Sequence, residues 1–152
     1  MKVVVVLVAA LFSVVPADNC PQDYVAVGTS CYLFPDTKMT WQDAHDYCTS
    51  TAPDGTNADL AHVDKCGQLA SLWDHIQAHE TIVDYWIGGR DDDQEGVYRW
   101  EATGDPVLNE VPYWYPGQPD GGRQENCLSL SKTGYFADED GSLHQKFICQ
   151  LL

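Results

Sequence analysis

The stretch YPGQPDGGRQENC, Tyr115 to Cys127, holds two prolines, three glycines, two carboxylates and three amides in thirteen residues. Neither a helix nor a central strand tolerates such a run, because proline removes backbone donors and glycine is favoured where the chain bends. Read alone, it is a solvated loop. Yet Gln118, Asp120, Glu125 and Asn126 all carry side-chain oxygens, and a disulfide-competent Cys127 closes the segment. The stretch ends a longer excursion, Glu101 to Asn126, that is rich in Pro and Gly. A loop of that length inside a compact domain is usually functional.

The segments around the excursion are short and patterned. Cys20 and Cys31 bracket Tyr24-Val25-Ala26-Val27-Gly28, which reads as a hairpin closed by a local bridge. Thr40-Trp41-Gln42-Asp43 resembles a capping box, with an acid at the third helical position. The helix it opens carries Trp41, Ala44 and Cys48 on one side. Asp64 is placed to cap a second helix, whose Leu69, Leu72, Trp73 and Ile76 form an i, i+3, i+4, i+7 stripe. After His79 the pattern changes to short aromatic or β-branched runs at Tyr85–Gly88, Tyr98–Trp100, Cys127–Leu130 and Phe147–Cys149. These read as strands separated by turns. Helices first and strands after imply an α+β domain with an antiparallel sheet.

Bulk properties narrow the setting. Residues 1–17 have a basic start, an apolar run from Val3 to Val15 and a small-residue end at Val15-Pro16-Ala17, so they read as a signal peptide. The run is shorter than the roughly 20 residues a membrane span needs. The domain is then residues 18–152, expected to be secreted, without membrane insertion. Without Lys2, 7 basic residues face 23 acidic ones, a net charge of −16. Such a chain is repelled by nucleic acid and anionic lipid and suits a cation binder. Six cysteines in a secreted chain imply disulfides, with 15 pairings open.

Taken together these residues resemble a C-type lectin domain across nearly the whole of residues 18–152. The matching features are the Cys20–Cys31 hairpin, Trp41-Gln42-Asp43-Ala44 leading to Cys48, and Trp86-Ile87-Gly88-Gly89. They continue with Glu95-Gly96 before Tyr98-Arg99-Trp100, then Gln118-Pro119-Asp120, Glu125-Asn126-Cys127 and the terminal Cys149. The resemblance implies two helices flanking antiparallel sheets, with a long loop that holds calcium and binds sugar through it. By position, Gln118, Asp120, Glu125 and Asp138 would be the calcium ligands and would also bind the sugar, and the Gln118–Pro119 bond would be cis. Calcium takes six to eight oxygens, so these four residues supply part of a shell that two vicinal sugar hydroxyls can complete. Gln-Pro-Asp in this slot goes with galactose-type sugars in the family. Asp91, Glu95 and Asn126 match an auxiliary calcium site, although the run Asp91 to Glu95 also reads as a solvated turn.

The chain departs from the family pattern in three places. Phe136-Ala137-Asp138 stands where Trp-Asn-Asp is usual, so Ala137 removes one calcium and sugar ligand. No aromatic follows Gln-Pro-Asp, which leaves Trp114, or else Tyr115, as the ring that would stack on the sugar, although aromatics beside a Pro-Gly turn are more often packed into the loop base. Family logic pairs Cys20 with Cys31 and Cys48 with Cys149, but the usual partner of Cys127 falls at Gly141, and Cys66 is extra. That leaves either a rewired Cys66–Cys127 bridge or an intermolecular Cys66 bridge making a dimer, and the two Cα atoms of a bridge must lie within about 7 Å.

Other constellations carry less. His75 and His79 have i, i+4 metal-pair spacing but lack the Glu of His-Glu-x-x-His, and their rings are expected at the solvent-facing helix edge. His62, Asp64 and Cys66 each have a duller job as strand end, helix cap and disulfide. No nucleophile motif points to an enzyme. The expected function is a secreted, calcium-dependent lectin for galactose-type or other microbial and cell-surface glycans, with an innate-defence role implied by resemblance and homo-oligomerisation as a route to agglutination. The alternative is a lectin-like domain that has lost sugar binding and takes protein, ice or mineral.

Overall fold

The structure, a computed structural model, describes residues 20–21, 23–109 and 113–152. The expected signal peptide, residues 1–17, lies outside the described residues. The elements run β1 (Val25–Val27), β2 (Ser30–Leu33), α1 (Trp41–Ser50), β3 (Ala58–Leu60), α2 (Cys66–His79) and β4 (Tyr85–Arg90). They continue with β5 (Arg99–Trp100), a 3-10 turn at Gly122–Gln124, β6 (Cys127–Leu130), β7 (Phe136–Glu139), β8 (Lys146–Phe147) and β9 (Cys149–Leu151). This is the α+β architecture with two helices and antiparallel sheets that the sequence predicts.

Helix α1 begins as its capping box dictates. Thr40 Oγ1 accepts the Asp43 N–H at 3.2 Å, and its hydroxyl donates to the Asp43 carboxylate at 2.7 Å. Trp41, Ala44 and Cys48 are the buried face. Helix α2 differs from expectation at its start. Lys65 occupies the N-cap without a side-chain bond, and Asp64 stays exposed while its N–H donates to Gln68 Oε1 at 3.3 Å. Leu69, Leu72 and Ile76 are buried as the stripe requires, with Trp73 packed partly against them.

The first sheet has the order β1-β2-β9-β3, all antiparallel. The second has the order β5-β4-β6-β7, antiparallel, with β8 running parallel to β4 at Tyr85 and Trp86. That parallel pair departs from the antiparallel expectation. Two glycines of β4 sit where close approach leaves no space for side chains, Gly88 against the first sheet and Gly89 against β6 of its own sheet. A Cβ on Gly88 would sit 2.8 Å from the Leu60 carbonyl oxygen, and one on Gly89 would sit 2.6 Å from Leu128 Cδ2. The Gly88 N–H instead donates to the Ala61 carbonyl at 2.8 Å.

Two apolar clusters flank this junction. The larger holds Tyr32, Leu72, Ile76, Ile87, Trp100, Leu128 and Phe136 among others; the smaller holds Trp41, Ala44, Cys48, Leu60, Trp86 and Phe147. A buried indole N–H needs an acceptor. Trp41 Nε1 finds the Ile87 carbonyl at 2.9 Å and Trp86 Nε1 the Met39 carbonyl at 3.0 Å.

Cys20–Cys31 closes the first hairpin, and Cys48–Cys149 joins α1 to β9 across 101 positions of sequence. A loop that long gives a cross-link worth about 4.7 kcal/mol in the chain-entropy account. The Cys66–Cys127 bridge does not form; both are free thiols. Cys66 opens α2 with its Sγ 3.5 Å from the Tyr113 hydroxyl, while Cys127 opens β6 and packs on the smaller cluster. Burial pushes the Cys127 thiol up to about 12, so it stays protonated.

The partner position of Cys127 remains geometrically intact. A Cβ on Gly141 would lie 3.7 Å from Cys127 Cβ and 2.7 Å from its Sγ. Disulfide Cβ atoms sit about 3.8 Å apart. Gly141→Cys is therefore expected to close a third bridge with Cys127 and stabilise the fold by about 3 kcal/mol. Thiol counting and melting with and without reductant test this; an unchanged thiol count in the oxidised variant would refute it.

Candidate functional site

The long excursion is held by β7 and by the ends of β4 and β5. The Phe136 N–H donates to the Tyr113 carbonyl at 2.6 Å, and the Tyr115 N–H to the Phe136 carbonyl at 2.9 Å. The Phe136 ring stacks on Tyr113 with centroids 5.6 Å apart and meets Trp114 edge-on at 6.1 Å. Further along, the Asp91 N–H donates to the Asn126 carbonyl at 3.1 Å, and the Tyr98 hydroxyl to the Glu125 carbonyl at 2.8 Å.

On this frame Asp120, Glu125 and Asp138 converge, with one carboxylate oxygen of each within 4.8 Å of the others. Asp138 is the buried member, 2 % exposed. Its two oxygens accept the Asp120 N–H at 3.0 Å and the Gly121 N–H at 2.9 Å. In return the Asp138 N–H donates to Gln118 Oε1 at 3.0 Å, and Gln118 Nε2 donates to Asp120 Oδ1 at 2.6 Å. Gln118 thus stands beside the carboxylates, and its Oε1 keeps a second lone pair. The Gln118–Pro119 bond is cis.

Gly121 is fixed by its neighbours, since a Cβ there would collide with the Glu125 side chain. Ala137 is buried and pairs with Ser129; its methyl group brings no oxygen to the cluster. Neither Glu139 nor Asp140 joins the converging group. Asp140 instead accepts the Ser142 N–H at 2.9 Å.

Three acids this close repel one another. Partial burial and then the charges of Asp138, Asp120 and Asp140 raise the Glu125 carboxyl above its usual range. Burial likewise raises Asp91, reinforced by Glu95, Asp138 and Asp92, although the Gly96 N–H bonded to its Oδ2 at 2.7 Å works the other way. Burial, followed by Asp138, Asp91 and Glu95, holds the Tyr98 phenol far above its ordinary range. A hard, oxygen-only donor set with surplus negative charge fits calcium in chemistry.

The sequence-derived candidates divide as follows. Asp120, Glu125 and Asp138 come together and Gln118 lies against them. Asp91 is not part of a solvated turn: it is 3 % exposed, and its Oδ1 is shielded from solvent without a hydrogen-bond partner. Asp92, Asp93, Glu95 and Asn126 line a cleft with it of about 390 Å³. Asn126 uses its side chain to reach the Arg123 carbonyl at 3.4 Å. Trp114 is not a sugar-stacking ring, because it is 5 % exposed, packed on Phe136 and Tyr98, and bonded through Nε1 to the Leu108 carbonyl at 3.0 Å. Tyr115 is exposed and packs edge-on against exposed Tyr135. His75 also differs from expectation: its ring is mostly covered, stacks on Phe34 at 5.2 Å and has a shielded Nε2, while His79 alone is exposed. His62, Asp64 and Cys66 do not converge on a shared point; His62 packs toward Trp100. Sequence reasoning missed Tyr98, whose hydroxyl anchors the Glu125 backbone, and the two loop N–H groups on Asp138. Backbone donors leave no signature in residue type.

Residues 37–151 match the family model for the Lectin C-type domain. The chain is similar to the C-type lectin LmsL of Lachesis stenophrys, 30% identical over 138 residues that cover 88% of this chain and 98% of that one. It is similar to the C-type lectin lectoxin-Phi1 of Philodryas olfersii, 27% identical over 149 residues, covering 95% and 92%. Among solved structures, C-type lectin CEL-I from Cucumaria echinata aligns with a TM-score of 0.78 at 28% identity, covering 89% of this chain and 99% of that one. Among the described residues no helix is long and apolar enough to cross a membrane.

The raised Glu125 carboxyl has a pH consequence. A carboxyl whose folded pKa lies above its unfolded value favours the folded state at low pH and loses that contribution as pH rises through the folded value. In metal-free protein, Glu125→Gln is therefore expected to raise the melting temperature by about 2 °C at pH 7, the effect of relieving a partly screened repulsion of roughly 0.5 kcal/mol. The difference is expected to vanish near pH 4. Scanning calorimetry across that range checks it; a destabilised variant at pH 7 would contradict the repulsion.

Proposed function

The chain belongs to the C-type lectin family, and on that premise we propose that it is a secreted lectin that binds glycans through calcium held in the long loop. The convergence of Asp120, Glu125 and Asp138 on one point carries this reading. Asp120, Glu125 and Asp138, with Gln118 beside them, would hold the ion. Bound calcium would supply a Lewis-acidic contact for two vicinal sugar hydroxyls. The carboxylates accept from those hydroxyls, and the Gln118 amide donates to them. The unpartnered Asp91 oxygen, with Glu95 and Asn126, supports an auxiliary calcium.

Gln118-Pro119-Asp120 favours galactose-type sugars over mannose-type ones. With Trp114 buried, Tyr115, an exposed ring on the excursion, is the remaining candidate to cover the apolar face of a sugar. A single site of this kind binds weakly, and agglutination of microbes or cells needs several acting together. The exposed Cys66 thiol is placed to link two copies. This build suits pattern recognition in innate defence. A second reading, a lectin-like domain that has lost sugar and takes protein, ice or mineral, draws on Ala137 and on the burial of Trp114.

Retention of the mature protein on immobilised galactose and mannose, with calcium and with chelator, separates the readings. The expected outcome is chelator-released retention on galactose, a calcium-dependent rise in melting temperature, and loss of both in Asp138→Ala. Retention on mannose instead would remove the role given to Gln118 and Asp120. Failure on both sugars with no thermal response to calcium would sink the lectin reading. Ala137→Asn is expected to tighten calcium about tenfold, about 1.4 kcal/mol, as read by calorimetric titration. An unchanged constant would show that position 137 does not reach the ion.

A further inference from the structure

The formal charge of the chain is −15, with eight Lys and Arg in all, and yet three of those eight line one surface cleft. Lys38, Lys132 and Lys146 face it together with His144, Gln145, Ile82, Val83 and Asp84, around about 400 Å³. Three ammonium groups meet one carboxylate in this lining, that of Asp84, whose Oδ1 accepts the backbone N–H of Lys132 at 2.8 Å. Lys146 is mostly covered and pairs with Asp36 at 2.9 Å. Lys38 and Lys132 are exposed, and neither has a carboxylate partner among the described residues. Gathering like charges has a cost, and in so acidic a chain each of these groups had carboxylates available to pair with.

A second observation is independent of charge. Gln145, half-buried in the same cleft, has its Oε1 shielded from solvent and without a hydrogen-bond partner among the described residues. Such an acceptor is satisfied by a hydroxyl donor once a turn of the amide brings it to the cleft surface. Ile82, 50% exposed, and Val83 add an apolar surface beside it. Cations, a hydroxyl acceptor and a small apolar wall are the complement of one ligand class. We infer that this cleft is a second glycan site, for a sugar carrying a sulfate ester or a carboxylate. The ammonium groups of Lys38 and Lys132 pair with the anion, Gln145 Oε1 accepts a ring hydroxyl, and Ile82 and Val83 cover the C–H face.

The cleft is separate from the loop. It lies where β4 begins and β6 ends, whereas the carboxylate cluster lies beyond the Arg90–Cys127 end of the same strand pair. The six-residue length of β4 separates them. Binding here requires no calcium, so it can be tested with the loop disabled and does not stand or fall with it.

The test is retention of the mature protein in chelator on three immobilised polymers: a sulfated galactan, polygalacturonate and a neutral galactan. Retention on either anionic polymer, with none on the neutral one, is expected, and which of the two retains it identifies the anion. Lys38→Gln with Lys132→Gln, both at exposed positions, is expected to weaken that binding at least tenfold while the far-ultraviolet circular dichroism stays unchanged. Gln145→Ala is expected to weaken binding to the sugar polymer several-fold and to leave binding to inorganic polyphosphate, which offers no hydroxyls, unaltered. Absence of wild-type retention on both anionic polymers would overturn the proposal. So would equal retention of the double lysine variant, or a Gln145→Ala variant that matches wild type on every polymer.

Discussion

A long excursion without a sheet of its own can be ordered only from outside, and β7 does the ordering. Its Phe136 exchanges backbone bonds with Tyr113 and Tyr115 and lies against two rings of the loop. Two residues on, Asp138 accepts two loop N–H groups and donates its own to Gln118. Phe136 fastens the base of the excursion, and Asp138 fastens its tip. Because side chains two apart on a strand share a face, a single short strand delivers both anchors. The same carboxylate that gives the tip its shape is also the buried member of the acidic cluster. Loop order and cation affinity are therefore two expressions of one residue.

That coupling explains which parts of the molecule the sequence disclosed. The helices were legible because their signals are local: a capping box at Thr40, and an apolar stripe from Leu69 to Ile76. Strands β4 and β6 were legible because aromatic and branched residues cluster in them. Strand β7 was not, since Phe-Ala-Asp-Glu has no alternation to read and gains its strand identity from pairing with β6. The N-cap of α2 was misread because Asp64 has the right residue type while the backbone starts the helix one residue later. Trp114 stayed open between sugar stacking and the loop base because residue type does not say which way a ring faces; it faces Phe136. The cysteines are instructive too. Cys66 and Cys127 are the two left over by counting, but Cys66 lies by Tyr113 of the larger cluster while Cys127 packs on the smaller one, and the space at Gly141 lies against Cys127.

Charge is distributed with equal purpose. The acidic groups concentrate around the excursion, where Asp91, Glu125 and their neighbours hold one another above their ordinary ranges. Two cations are set against them: Arg123 lines the acidic cleft, and Arg90 bridges Asp92 at 3.3 Å and Glu101 at 3.0 Å from the sheet side while lying over Trp41. Lys38, Lys132 and Lys146 collect at the far end of the same strands. The two ends of β4 thus differ in charge, with the carboxylate cluster beyond one and three lysines around the other.

The sheet that does not carry the loop holds both the first strand and the last, β1 and β9, each paired with β2 between them. Both leads of the chain accordingly leave from one body of the domain. Load applied through β1 or β9 enters this sheet first, where β2 pairs with both and Cys48–Cys149 ties β9 to α1. A domain wired in this way can be strung on a tether, grafted to a neighbour or pulled by flow while the geometry of its loop is left undisturbed.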